Sequence, residues 1–160
     1  MAEAARATGK DVGAPPTAGP LLVAPGYLAR RMYQSYVALW NREVDAVMTG
    51  PQFAVLTATQ AYPGVDQQSL ASSVALDTST MADIVRRLEQ HGLIRRKTAP
   101  DDGRRRLLYL TEKGTTRLAE VTQRSRALDQ KLISGTSEHR ERALEELRTL
   151  GASWEALAAN

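Results

Sequence analysis

Between Asp66 and Gly92 the chain has room for two short helices and little else. Asp66 is of the type that caps a helix N-terminus, and Leu70 and Val74 follow it one turn apart, which predicts a helix over 67–75. The pattern breaks near Leu76-Asp77. Asp77 or Thr78 then caps a second helix running to His91, with Met81, Ile84, Val85 and Leu88 on one face. Gly92 stands where a left-handed C-terminal cap belongs. Two helices joined by so tight a turn are the ingredients of a helix-turn-helix. Next, 93–98 and 105–110 read as two short strands around Pro100-Asp101-Asp102-Gly103, whose residue types make turns. The chain is therefore expected to be mainly α with one small β-hairpin.

Longer helical patterns flank this stretch. Pro25, tolerated in a first helical turn, opens a helix over 25–47 with Leu28, Met32, Tyr36, Leu39 and Val47 near one stripe. Thr49-Gly50-Pro51-Gln52 has capping-box spacing and starts a helix that ends at Tyr62-Pro63-Gly64. Thr111 caps a helix over 112–133, with Leu118, Val121, Ser125, Leu128 and Leu132 at helical spacing. Gly135 interrupts, and a last helix from about Ser137 places Leu144, Leu147, Gly151, Trp154 and Leu157 on one stripe. That stripe reaches almost to the end of the sequence, where little of its own domain is left to cover it, so a partner chain is expected; packing within the subunit is the alternative. Residues 1–20, broken by Gly13, Pro15, Pro16, Gly19 and Pro20, read as a disordered tail outside a single domain over 21–160.

The net charge is only +3, yet Arg86, Arg87, Arg95, Arg96, Lys97, Arg104, Arg105 and Arg106 crowd the stretch from Ile84 to Arg106 against Glu89, Asp101 and Asp102. A local basic face on a near-neutral protein suits neutralisation of phosphates, or is simply a solvated surface. There is no cysteine, which excludes disulfides, thiolate metal sites and thiol redox sensing. His91 and His139 are too far apart for a zinc helix, and Asp101 and Asp102 are neighbouring turn residues rather than an acid/base pair. No nucleophile elbow, phosphate loop or dinucleotide fingerprint occurs. The expectation is no enzyme, no metal and no cofactor. No apolar run is long enough to span a bilayer and the N-terminus has no signal-peptide core, so a cytoplasmic protein with no membrane contact is expected.

Three segments resemble the MarR family of bacterial regulators: Arg87 with Leu88-Glu89-Gln90-His91-Gly92-Leu93-Ile94-Arg95-Arg96, then Pro100-Asp101-Asp102-Gly103-Arg104-Arg105, then Leu110-Thr111-Glu112-Lys113-Gly114. Thr49-Gly50-Pro51-Gln52-Phe53-Ala54-Val55-Leu56 is similar to the opening of that family's second helix. The resemblance implies a winged helix-turn-helix over 49–110, with a wing over about 94–110 and dimerisation helices over 25–47 and 112–160. It implies a homodimeric, sequence-specific regulator of double-stranded DNA, usually a repressor, on a pseudo-palindromic operator. In such a fold the second helix of the motif enters the major groove. Thr78, Ser79, Thr80, Ala82 and Asp83, with Arg86 further along, are its base- or phosphate-facing candidates. Ser79 and Thr80 can instead serve only to cap the helix, and Arg87 either anchors the wing or binds phosphate. Thr78 and Asp83 stand where many relatives carry Arg, so no base preference transfers. In the wing, Arg104 resembles an arginine placed in the minor groove and Asp102 the residue that holds it; Arg105 is a phosphate or structural contact.

Relatives often respond to a small anionic or aromatic ligand held between the dimerisation helices and the DNA-binding lobe. Here Arg30 or Arg31 can pair with a carboxylate, and Tyr27, Gln34, Tyr36 and Trp40 can line an effector site. The segment is similar to regulators of aromatic-acid catabolism, some of which sense the acid and some its coenzyme A thioester. Alternatively the aromatics are dimer core and the arginines solvated. Two other functions stay open: a sequence-tolerant architectural DNA binder, and a helical protein-interaction dimer, in which the basic hairpin has no role.

Overall fold

The computed structural model describes residues 17–159. The chain divides into two compact units, one ending at Tyr36 and one from Val37 to Asn160. In the first, Gly19–Val23 form a 3-10 turn with Pro20 at its second position, which takes in the end of the expected tail; residues 1–16 of that tail lie outside the described residues. Helix α1 (Pro25–Leu39) follows, its last three residues belonging to the second unit, and buries none of its residues.

The helix expected to reach Val47 stops sooner. After α1 the backbone widens into a π-helical turn, Trp40–Val44, and leaves helical geometry at Asp45. Asp45 enforces the stop: its Oδ1 accepts the backbone N–H of Val47 at 2.9 Å and of Met48 at 2.7 Å. A short carboxylate that bonds the backbone two and three residues on replaces the helical ladder with a turn.

In the second unit, α2 (Gly50–Ala61) starts on Thr49 with both arms of the capping box in place. Helix α3 (Gln67–Ser73) starts on Asp66, and α4 (Thr78–Gln90) on Asp77. Ala75 links them with a φ of +53°, an unusual conformation for a residue with a β-carbon. Met81, Ile84, Val85 and Leu88 of α4 are buried, at about 1.5–3 kcal/mol each for a full burial. Gly92 caps the end of α4 with a φ of +69°. Strands β1 (Ile94–Thr98) and β2 (Arg106–Leu110) pair antiparallel, Ile94 opposite Leu110 and Thr98 opposite Arg106. A third segment joins the hairpin from the other side. Gly64 N–H donates to Leu108 O, Leu108 N–H donates to Val65 O, and Asp66 bridges Leu107.

Helix α5 (Glu112–Leu132) starts on Thr111 and buries Leu118, Val121, Ser125 and Leu128, while Leu132 is exposed. Thr111 also binds α5 to the end of α4: its Oγ1 donates to Gly92 O at 2.7 Å and its N–H to Leu93 O at 3.1 Å. Gly114 completes the joint, because a β-carbon there would lie 1.9 Å from Leu93 O. Helix α6 (Ser137–Ala158) starts on Thr136 and buries nothing. The architecture is mainly helical with a two-stranded wing. No described helix is long and apolar enough to cross a membrane.

Candidate nucleic-acid interface

Burial of one face of α4 turns Thr78, Ser79, Ala82, Asp83, Arg86 and Arg87 to solvent, with Thr80 also exposed at the first turn. The cap is Asp77 rather than Thr78. Its Oδ1 accepts the backbone N–H of Thr80 at 2.9 Å. The hydroxyls of Ser79 and Thr80 donate to its two carboxylate oxygens, each at 2.5 Å. These donors, the Ser79 hydroxyl foremost, then the Thr80 hydroxyl and N–H, hold the Asp77 carboxyl far below the ordinary range, so it is ionised at any physiological pH. Ser79 and Thr80 are thus partners of the cap rather than the cap itself. Asp83 accepts from the Arg86 guanidinium at 2.7 Å across one turn.

The basic residues of the wing differ in availability. Arg96 pairs with Glu89, and Arg106 bonds the Thr98 hydroxyl across the hairpin. Arg105 lies between Asp101 at 3.3 Å and Asp66 at 3.4 Å, which ties the wing to the start of α3. Arg95 and Lys97 lie over the Tyr109 ring, at 5.8 and 5.3 Å from its centre. Asp102 accepts the backbone N–H of Arg104 at 2.9 Å, shaping the turn through the main chain. The Arg104 guanidinium is exposed and has no ion pair with any described residue. A cleft of about 340 Å³ runs between α3, the start of α4 and the wing, lined by Gln67, Gln68, Thr78, Asp102, Arg104 and Arg105.

The six candidate effector residues fall in both units. Tyr27 is half-buried, with its hydroxyl 3.4 Å from that of Thr17. Arg30, Arg31 and Gln34 are exposed, and Tyr36 is half-buried. Trp40 belongs to the second unit and is core there: it is 2% exposed, donates Nε1–H to Met48 O at 2.6 Å, and tilts its ring 5.3 Å from that of Phe53. A cavity of about 460 Å³ opens elsewhere in the second unit, among Met48, Gln52, Leu88, His91, Lys113 and Arg117, and none of the six lines it. Sequence reasoning missed Asp45, whose buried carboxylate accepts from Arg117 and, at 3.1 Å, from Arg124. The only sequence signal was an aspartate just ahead of the Thr49 cap. Among the described residues no cluster of His, Asp or Glu is placed to hold a metal ion.

This geometry has known counterparts. The MarR family model matches residues 48–105, from the loop before α2 to the return of the wing. The transcriptional regulator HosA of Escherichia coli O111:H- is 32% identical over 108 residues, which is 68% of this chain and 79% of HosA. The chain belongs to the MarR family. Its relatives are transcriptional regulators, and it is a regulator rather than an enzyme. Among solved structures, the PcaV transcriptional regulator from Streptomyces coelicolor, in complex with its natural ligand, is 36% identical with a TM-score of 0.81, over 86% of this chain and 98% of that one. BpsR of Bordetella bronchiseptica, whose DNA binding is regulated by 6-hydroxynicotinic acid, is 25% identical with a TM-score of 0.76, over 81% of this chain and 94% of that one. The resemblance read from the wing and helix motifs is borne out, as is the winged helix-turn-helix fold.

Proposed function

We propose that this MarR-family regulator is a repressor that binds a pseudo-palindromic operator as a homodimer and is released by a small aromatic acid or its coenzyme A thioester. The observation that carries the reading is the cleft shared by α3, α4 and the wing. It sets the exposed face of α4 beside Arg104, whose guanidinium is available. Helix α4 then enters the major groove with Thr78, Ser79, Thr80, Ala82, Asp83 and Arg86 toward base edges, and Arg87 on phosphate. Arg104 enters the minor groove, where a narrow A·T tract concentrates negative potential. Arg105, engaged by Asp66 and Asp101, positions the wing. Helices α1, α5 and α6 are the dimerisation helices, α6 through its exposed apolar face, and a two-fold axis sets the two α4 helices about 34–36 Å apart.

The effector half of the reading rests on the ligands of PcaV and BpsR and on two exposed arginines of α1, Arg30 and Arg31, that have no ion pair among the described residues. Either can clamp a carboxylate, with Tyr27, Gln34 and Tyr36 beside them on the helix; Trp40, buried in the core of the second unit, is left out of the site. The regulator acts in the cytoplasm, where the DNA and the effector are.

Titration of labelled intergenic DNA beside its own gene, against a scrambled fragment at about 150 mM salt, tests the reading. Native DNA is expected to bind on the order of 1,000-fold tighter. Equal, weak binding to both would instead support a sequence-tolerant architectural role, and no binding a protein-interaction dimer. Adding aromatic acids and their thioesters to the bound complex separates the two effector forms. Arg30→Ala and Arg31→Ala are expected to leave DNA binding intact and to blunt release; normal release in both variants would remove the carboxylate clamp.

A further inference from the structure

We infer that Ser79 and Thr80 read an exocyclic base amine in the major groove, N6 of adenine or N4 of cytosine, and cannot serve as phosphate donors. This rests on the operator-binding reading above and sharpens it. The argument is a count of protons. A hydroxyl has one proton to donate and lone pairs that accept, whereas an ionised carboxylate only accepts. In each 2.5 Å contact with Asp77 the proton therefore comes from the hydroxyl. Both protons are spent, and what Ser79 and Thr80 turn outward is acceptor only.

A phosphate oxygen also only accepts, as do O6 and N7 of guanine and O4 of thymine; the major-groove donors are the amines of adenine and cytosine. Redirecting either hydroxyl to phosphate would take a charge-assisted hydrogen bond from Asp77 and bring a second anion up to it. The next exposed groups agree. Ala82 offers a methyl, which suits the methyl of thymine. Asp83 offers a carboxylate already satisfied on one side by Arg86. From Ser79 to Asp83 the exposed side chains accept or are apolar, and donors begin only at Arg86. Asp77 thus determines base choice by fixing the direction of two hydrogen bonds, without touching DNA.

The test starts with selection of duplexes from a random pool by the full-length protein at fixed salt. In the enriched site each adenine is then replaced by purine, which lacks the 6-amine, and each cytosine by pyrimidin-2-one, which lacks the 4-amine. Amine removal at one or two positions of each half-site is expected to weaken binding about tenfold. Ser79→Ala or Thr80→Val should bind the parent and the amine-free duplex at that position equally. Their helix is retained, because Asp77 still caps it through the Thr80 N–H, and circular dichroism checks this. Asp77→Asn, which keeps a cap oxygen but frees a hydroxyl proton, should admit guanine or thymine there. The inference is overturned if no position is amine-sensitive, if the sensitivity survives in both hydroxyl variants, or if those variants weaken binding uniformly across sequences, as loss of a phosphate contact would. An enriched site without amine sensitivity removes this inference alone; no enriched site removes the operator reading with it.

Discussion

Helix α4 and helix α6 both start well and finish differently. Each has a side-chain cap on its third backbone N–H, from Asp77 in one and Thr136 in the other. Helix α4 then buries four large apolar side chains, whereas α6 buries none, leaving Leu147, Leu150, Trp154 and Leu157 between 43% and 73% exposed. Local chemistry decides where a helix begins, but most helical stability comes from packing an apolar face. The winged region finds that packing within the chain. The α6 stripe, one turn apart at each step, has the pattern of a packed face without the cover, which is how a surface made for another subunit looks in one chain.

The largest effect is expected where the winged region is tightest. Gly114→Ala puts a methyl into the Leu93 carbonyl, and backbone against backbone has no side chain that can yield. Overpacking typically costs about 1–3 kcal/mol, and the unyielding backbone contact puts this change at the upper end, read as a lower midpoint in urea. A change under about 1 kcal/mol would mean that α5 is not seated against the end of α4. Next comes Leu150→Asp with Trp154→Ala on α6. The pair should give a monomer in sedimentation and about 100-fold weaker operator binding, which is about 2.7 kcal/mol, with the wing unchanged by NMR. A stable dimer in that variant would break the contrast between the helices.

A third, smaller effect separates two arginines of the same wing. Arg104→Ala should weaken specific binding by about 1–3 kcal/mol and most on sites with an A·T tract, because its guanidinium is free to enter the groove. Arg96, engaged by Glu89, should cost less when replaced by Ala, with no sequence dependence. Equal losses would mean that net charge, and not placement, is what the wing contributes.

How much of this was legible follows the range of the interactions. Thr49 with Gln52, Asp66, Thr111 and Gly92 act on neighbours three or four residues away, so their residue types announce the ends of α2, α3, α5 and α4. The exposed face of α4 followed from the spacing of Met81, Ile84, Val85 and Leu88. Asp77 and Thr78 were equally good caps on paper, and only the fold shows that Asp77 also takes the protons of Ser79 and Thr80. The third segment of the wing depends on Asp66 meeting Leu107, and the positive φ of Ala75 on how α3 and α4 pack. Trp40 read as a ligand wall because its place after Tyr36 on the expected first helix says nothing of Met48 or Phe53. Asp45 was invisible for the same reason: its charged partners are more than 70 residues away.

Asp45 gives the last test, at the point where the chain leaves the π-helical turn and is tied to α5. Asp45→Asn keeps an oxygen for the N–H groups of Val47 and Met48 but removes the charge facing Arg117 and Arg124. A loss of about 1–2 kcal/mol is expected, since a hydrogen bond to a charged group is exchanged for a neutral one. The pH dependence carries a definite sign. Burial pushes the Asp45 carboxyl up, but the N–H groups of Met48 and Val47 and the two guanidiniums pull it down further, so in the folded protein it lies below its ordinary value of 3.8. The unfolded chain therefore takes up a proton first on acidification. The stabilisation is full above that ordinary value and is lost as pH falls through the folded one. Melting curves from pH 7 to pH 3 should show parent and Asp45→Asn converging at the acid end. A gap that stays constant would place the contribution of Asp45 in the turn it shapes rather than in its charge, and α5 would then owe its seat to Gly114 and the buried stripe alone.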